Sequence, residues 1–116
     1  MASKSVVEVT DATFQSEVEL HQGLTVVDLW AEWCGPCRLV APIVEQLATE
    51  YEGRVKMTKL DVDANPMTAT RFNVRSIPTL LFFRDGKIVD SVVGAVPKAM
   101  LVQRLEQHVG TAAVKV

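Results

Sequence analysis

The sequence predicts an α/β fold, a central mixed sheet with helices on both faces, and three observations carry that prediction. Strand and helix signals alternate along most of the chain. Two short runs, Thr25 to Trp30 and Val55 to Asp61, are nearly continuous in apolar and β-branched residues, as strands covered on both faces must be. Asp85-Gly86 separates two further strand-like runs by two residues, a hairpin signal whose strands should be antiparallel.

The elements follow in order. Val6 to Val9 forms a short first strand. Thr10 or Asp11 caps a helix in which Phe14 and Val18, four residues apart, share a face, and Gly23 ends it. After the strand Thr25 to Trp30, residues Cys34 to Tyr51 have helical periodicity in Leu39, Val40, Ile43, Val44, Leu47, Ala48 and Tyr51, with Pro42 expected to kink the helix. The strand Val55 to Asp61 leads to Asn65-Pro66, a cap followed by an N1 proline, which opens a short helix reaching about Phe72. Thr79 to Arg84 and Lys87 to Val93 are the hairpin strands. Pro97 opens a last helix, striped by Leu101, Leu105 and Val109. His21 and His108 read as solvated helix residues.

With 116 residues, 48% of them hydrophobic, the chain has the size of one domain, assigned to 1–109, with 110–116 as a loose tail. Twelve basic and fourteen acidic residues are spread along the chain, so the net charge of −2 leaves no electrostatic footprint for nucleic acid. No apolar run approaches the roughly 20 residues of a membrane span. Met1 to Val9 also lacks the apolar stretch of a secretory signal, so the cytoplasm is the expected location. In that reducing compartment two cysteines are kept for chemistry more readily than for structure.

Those two are Cys34 and Cys37, at the start of a helix. Residues i and i+3 there share a face with Cβ atoms about 5–6 Å apart, so the pair can open and close as a disulfide with little backbone movement. The helix N-terminus favours a thiolate, which makes Cys34 the nucleophile, while Cys37, one turn in, should be more buried and react second. Pro36 suits the first turn, and Gly35 lets another backbone approach closely. Other roles fit the same residue types. A staple closing a four-residue loop would contribute only about 2 kcal/mol. A zinc site would need further ligands, and His21 and His108 lie on separate helices. Two inert thiols would leave Gly35-Pro36 without a reason. Asp28, inside an apolar strand, is costly to bury charged, so its pKa should rise towards the range useful to a base.

The run Val27-Asp28-Leu29-Trp30-Ala31-Glu32-Trp33-Cys34-Gly35-Pro36-Cys37, with Ala41-Pro42, Lys59, Ile77-Pro78-Thr79 and Val93-Gly94-Ala95, resembles the thioredoxin family from about residue 6 to residue 109. Leu29 stands where many members have Phe. The resemblance implies the thioredoxin fold, a mixed five-stranded sheet flanked by four helices, and a monomer that reduces disulfide bonds in client proteins. It implies that Asp28 moves protons to and from Cys37, that Lys59 modulates Asp28, and that the Ile77-Pro78 bond is cis. It further implies that Trp33, Gly35, Pro36, Ile77, Pro78, Gly94 and Ala95 form a client-binding rim around Cys34. Trp30 reads mainly as a packing residue that shields the site. No cofactor or metal would bind the chain; reducing equivalents would come from NADPH through a flavin-dependent thioredoxin reductase. Two rival functions use the same fold: an oxidant or isomerase, against which Gly35-Pro36 argues, and a binding subunit that needs no thiols.

Overall fold

Residues 5–113 are described by the computed structural model. Strands β1 (Val6–Glu8), β2 (Leu24–Trp30), β3 (Val55–Asp61), β4 (Thr79–Arg84) and β5 (Lys87–Val93) form one sheet in the order β1-β3-β2-β4-β5. β1, β3 and β2 run parallel, and β4 and β5 are antiparallel additions at the other side. Helices α1 (Gly35–Glu50), α2 (Pro66–Arg71) and α3 (Lys98–Ala113) join a π-helical segment, Gln15–Glu19. This is the mixed sheet with four helical segments that the sequence predicts.

The two-residue period of β2 explains the layering. Leu24 and Val26 face a cluster with Val40, Val44, Leu47, Leu101 and Leu105, which places α1 and α3 on their side. Val27 and Leu29 face Phe14, Val18, Leu60, Leu81 and Phe83, which places the π-helical segment on the other. Asp28 shares the parity of Leu24 and Val26, so the sheet turns its carboxylate towards α1. Ala31, Cys34 and Cys37 form a small third cluster where β2 runs into α1.

The first helix differs from expectation. It is a short, wide turn, in which the Leu20 N–H bonds the Gln15 carbonyl at 2.9 Å. Thr10 and Thr13 cap its approach reciprocally, backbone N–H to hydroxyl, at 2.8 and 3.1 Å. Asp11 serves α2 instead: its carboxylate accepts the Met67 and Thr68 N–H groups at 3.1 and 2.9 Å and the Thr68 hydroxyl at 2.6 Å. Asn65, expected to cap α2, makes no cap bond there and accepts the Asp11 N–H at 2.9 Å.

Further corrections concern side chains. Leu39 is 67% exposed, because the buried stripe of α1 runs through Cys37, Val40, Val44, Leu47 and Ala48. Pro42 lies inside α1, within its 16 residues. His108 is not solvated: its Nε2 lies 3.0 Å from Asp90, which also takes Arg104 at 2.7 Å, and its ring packs on Phe82. His21 is half-buried beyond the end of the π-helical segment. α3 itself continues to Ala113, and the remainder of the segment expected as a tail, 114–116, lies outside the described residues.

The β4–β5 turn is locked onto the rest of the molecule. Asp85 and Gly86 have φ of 51° and 83°, the left-handed pair that a tight hairpin needs. The Asp85 N–H and carboxylate bond Gly23 at 2.9 and 2.7 Å. A Cβ on Gly86 would lie 2.1 Å from the Glu19 carbonyl oxygen, whereas one on Gly23 would meet nothing within 4 Å. Gly86→Ala should therefore lose roughly 2–3 kcal/mol, from clash plus backbone strain, and Gly23→Ala about 1 kcal/mol, from strain alone. Urea midpoints of the two variants check this; equal losses would remove the steric contribution at Gly86.

Candidate active site

The site grows from the junction of β2 and α1. Cys34 caps α1 in an extended conformation, and its Sγ accepts the Cys37 N–H at 3.2 Å. Pro36 falls in the first turn, where its lack of an N–H breaks no helical bond. The preceding loop is held by the Cys34 N–H on the Ala31 carbonyl, at 3.1 Å, and by Arg38 Nη2 on the Glu32 carbonyl, at 2.9 Å. Cys34 and Cys37 form a disulfide with Cα atoms 5.3 Å apart, inside the range such a bond accepts.

One expectation about the pair is corrected. Cys37 is not the more buried of the two, since Cys34 is 3% exposed and Cys37 4%. Trp30, Val62 and Ile77 pack around both cysteines. The cysteines differ in what they face. Cys37 lines an open cavity of about 300 Å³ together with Asp28, Trp30, Arg38, Ala41 and Lys59, and Cys34 does not.

Asp28 is 4% exposed, and its Oδ1 has no hydrogen-bond partner among the described residues. Burial pushes its pKa up to about 7, opposed in part by the positive charge of Lys59. The parallel register places Asp28 directly opposite Lys59. The Lys59 ammonium sits 5.7 Å from the centre of the Trp30 ring, within reach of a cation–π attraction. Trp30 thus walls the cavity and holds the lysine near Asp28. Its own buried Nε1 has no partner among the described residues.

The residues expected at the rim come together from separate loops. Trp33 is 68% exposed, and its indole N–H donates to Asp63 at 2.8 Å. Asp63 is held in turn by its N–H on Asp61 Oδ1 at 2.9 Å. The Ile77-Pro78 bond is cis. The Gly94 N–H bonds the Pro78 carbonyl at 2.8 Å, which draws Gly94 and Ala95 to the proline. Gly35, Pro36 and Ala95 are exposed and Ile77 half-buried, while Pro78 is buried beneath them. A second groove, about 390 Å³, is lined by Trp33, Val62, Ala69, Val74, Arg75, Ser76 and Ile77.

Sequence reasoning missed Arg38 and Asp63, which fix the loop and the rim tryptophan. Asp61-Val62-Asp63 carries the signal of an Asx-turn, in which Asp61 bonds the backbone two residues on and so fixes Asp63. Among the described residues, no three His, Cys, Asp or Glu side chains are grouped to hold a metal ion, and no helix is long and apolar enough to cross a membrane.

Comparison with known proteins agrees with this geometry. The Thioredoxin family model matches residues 5–107. The thioredoxins of Staphylococcus aureus strains Mu50, MW2 and N315 are each 53% identical over 104 residues, spanning 90% of this chain and 98% of theirs. On this match, and on a cysteine pair bonded across the first turn of α1, the chain belongs to the thioredoxin family, protein-disulfide oxidoreductases whose redox-active pair is here Cys34 and Cys37.

Proposed function

We propose that this chain reduces disulfides in client proteins, with Cys34 attacking first and Cys37 resolving. The observation that carries the reading is the placement of Asp28 and Cys37 in one cavity behind a Cys34 that caps α1. The Cys34 thiolate attacks a client sulfur; the client disulfide breaks, and its second sulfur leaves as a thiolate and takes a proton from solvent. Asp28, as carboxylate, accepts the Cys37 proton. The Cys37 thiolate then attacks Cys34 Sγ, closing the internal disulfide and expelling the client's first sulfur. Two electrons have passed from the dithiol to the client. Lys59 keeps Asp28 partly ionised near neutral pH, which the direction of its charge effect supports.

Trp33, Gly35, Pro36, Ile77, Pro78, Gly94 and Ala95 form the rim on which the client docks. Among the described residues neither the N–H nor the carbonyl of Ile77 makes a backbone hydrogen bond, which suits pairing with an extended client segment. Main-chain pairing reads no side chain, so client choice is broad. The oxidised form is regenerated by a flavin-dependent thioredoxin reductase using NADPH. The chain itself binds neither cofactor and works as a monomer in the cytoplasm, without nucleic acid or membrane partners.

The reduction potential of the Cys34/Cys37 couple tests this reading, by equilibration with defined ratios of oxidised and reduced dithiothreitol and counting of free thiols. Thioredoxins lie near about −270 mV, a reference value for the family and not one derived from this structure. A potential clearly below the glutaredoxin range, about −200 to −230 mV, is expected. A value near about −180 mV, as in protein disulfide isomerase, would reassign the chain as an oxidant or isomerase.

A further inference from the structure

The groove shared by Trp33 and Ile77 is lined by a cation with little engagement, Arg75. The other arginines of the described residues are engaged: Arg38 on the Glu32 carbonyl, Arg54 over the Tyr51 ring, Arg71 with Glu19, Arg84 on the His108 carbonyl, and Arg104 with Asp90. Arg75 is exposed, and among the described residues its one hydrogen bond runs from Nε to the neutral Asn73 Oδ1, at 3.3 Å. Its base is nevertheless fixed. Asn73, at φ 57°, ends α2 in the left-handed conformation, with its own N–H on the Thr70 carbonyl and the Val74 N–H on the Ala69 carbonyl, at 3.0 and 2.9 Å.

Asp63 keeps its negative charge while accepting from the indole N–H at the Trp33 end, and it is not among the residues that line the groove. Arg38 and Lys59 line the separate cavity behind Cys37. The groove is lined mainly by apolar residues, Val62, Ala69, Val74 and Ile77, with Trp33 and Ser76, and Arg75 is the charged residue in that lining. Ile77 packs against the cysteine pair, and Arg75 stands two positions before it, a span of at most about 7 Å, so a client segment paired with Ile77 brings residues about two or three positions from its attacked cysteine within reach of the guanidinium.

We propose that Arg75 is a specificity-determining residue of the reductase, favouring client segments that carry an aspartate or glutamate about two or three residues from the attacked cysteine. This rests on the client-docking reading above. It adds to that reading a charge preference that backbone pairing alone would not produce. An exposed guanidinium–carboxylate pair is a modest interaction that salt screens, so the preference is a bias in rate and not an absolute requirement.

The test uses three disulfide-linked peptide dimers, identical except for Glu, Gln or Lys placed two residues on either side of the single cysteine. Initial reduction rates by the reduced protein are normalised to the rates of the same peptides with dithiothreitol, and the Glu-to-Lys ratio is read within each variant, so that a general loss of activity cancels. Wild type is expected to favour Glu over Lys by about 5-fold at low salt, with the ratio falling towards 1 at about 0.5 M salt. Arg75→Gln should bring the ratio near 1, and Arg75→Glu should invert it. A ratio that is the same in wild type and Arg75→Glu would overturn the proposal. Failure of the wild type to reduce even the Gln peptide would overturn the client-docking reading, and this inference with it.

Discussion

A Cys37→Ser variant mixed with a disulfide-containing protein should accumulate a covalent adduct on Cys34, and its turnover should fall by at least about 10³-fold. The size follows from geometry. Cys37 sits one helical turn from Cys34, with the Cα atoms 5.3 Å apart, and well-oriented intramolecular reactions reach effective concentrations of about 10⁵–10⁸ M. Millimolar thiol in solution cannot replace a neighbour of that kind. The serine hydroxyl cannot attack sulfur productively at neutral pH, so the first exchange proceeds and the second stops. Non-reducing mass spectrometry reads the result directly. Cys34→Ser is the companion: it should form no adduct and no product. An adduct on Cys37 in that companion, with none on Cys34 in the Cys37→Ser variant, would reverse the roles of the two sulfurs. Loss of the fold is not a competing explanation for a trapped, site-specific adduct. Removing the cross-link of a four-residue loop withdraws only about 2 kcal/mol, while the apolar clusters on both faces of the sheet are left intact.

Why that arrangement could be anticipated, and where it could not, is a matter of sequence distance. The strands β3, β4 and β5 have the bounds their apolar runs and the Asp85-Gly86 turn predict, because each signal is local. The dithiol was legible for the same reason: spacing, helix start and Gly35-Pro36 lie within four residues. The burial of Asp28 was legible from its apolar neighbours. The first helix was misread because a capping carboxylate does not declare which helix it serves. Asp11 reaches Thr68 across 57 residues, and only the folded chain brings the two together. The Asp63 bond to Trp33 and the Asp90 pairing of His108 span 30 and 18 residues. The cavity that joins Asp28 to Cys37 needs β2, β3 and α1 together. The equal burial of the two cysteines was hidden in the same way: helix position makes Cys37 the more buried, but Val62 and Ile77, distant in sequence, pack against both.

Asp28→Asn should stabilise the oxidised protein above neutral pH while slowing its chemistry, with both effects arising from one buried carboxylate. Proton counting gives the sign. The native pKa is raised from 3.8 to about 7 by burial, so between those values the native state holds a proton that the unfolded chain has released. Native stability therefore declines as pH rises through that window and levels off above it. At 1.36 kcal/mol per pKa unit, the loss reaches at most about 4 kcal/mol. Asparagine keeps the shape and cannot ionise, so the variant escapes the decline. Its advantage over wild type should be near zero at about pH 4 and should grow to as much as about 4 kcal/mol by about pH 8.5, measured as the difference in unfolding free energy from urea titrations. A difference that is constant across that range would mean Asp28 does not titrate with folding. The kinetic effect runs the other way. Without a base in the cavity, Cys37 must lose its proton to solvent, and decay of the mixed disulfide in single-turnover experiments at pH 7.5 should slow by roughly 10²-fold, the lower end of what general-base catalysis contributes. The two readouts separate the roles: a gain in stability at high pH without slower decay would leave Asp28 as a buried charge the fold tolerates, and the proton from Cys37 would then go directly to water.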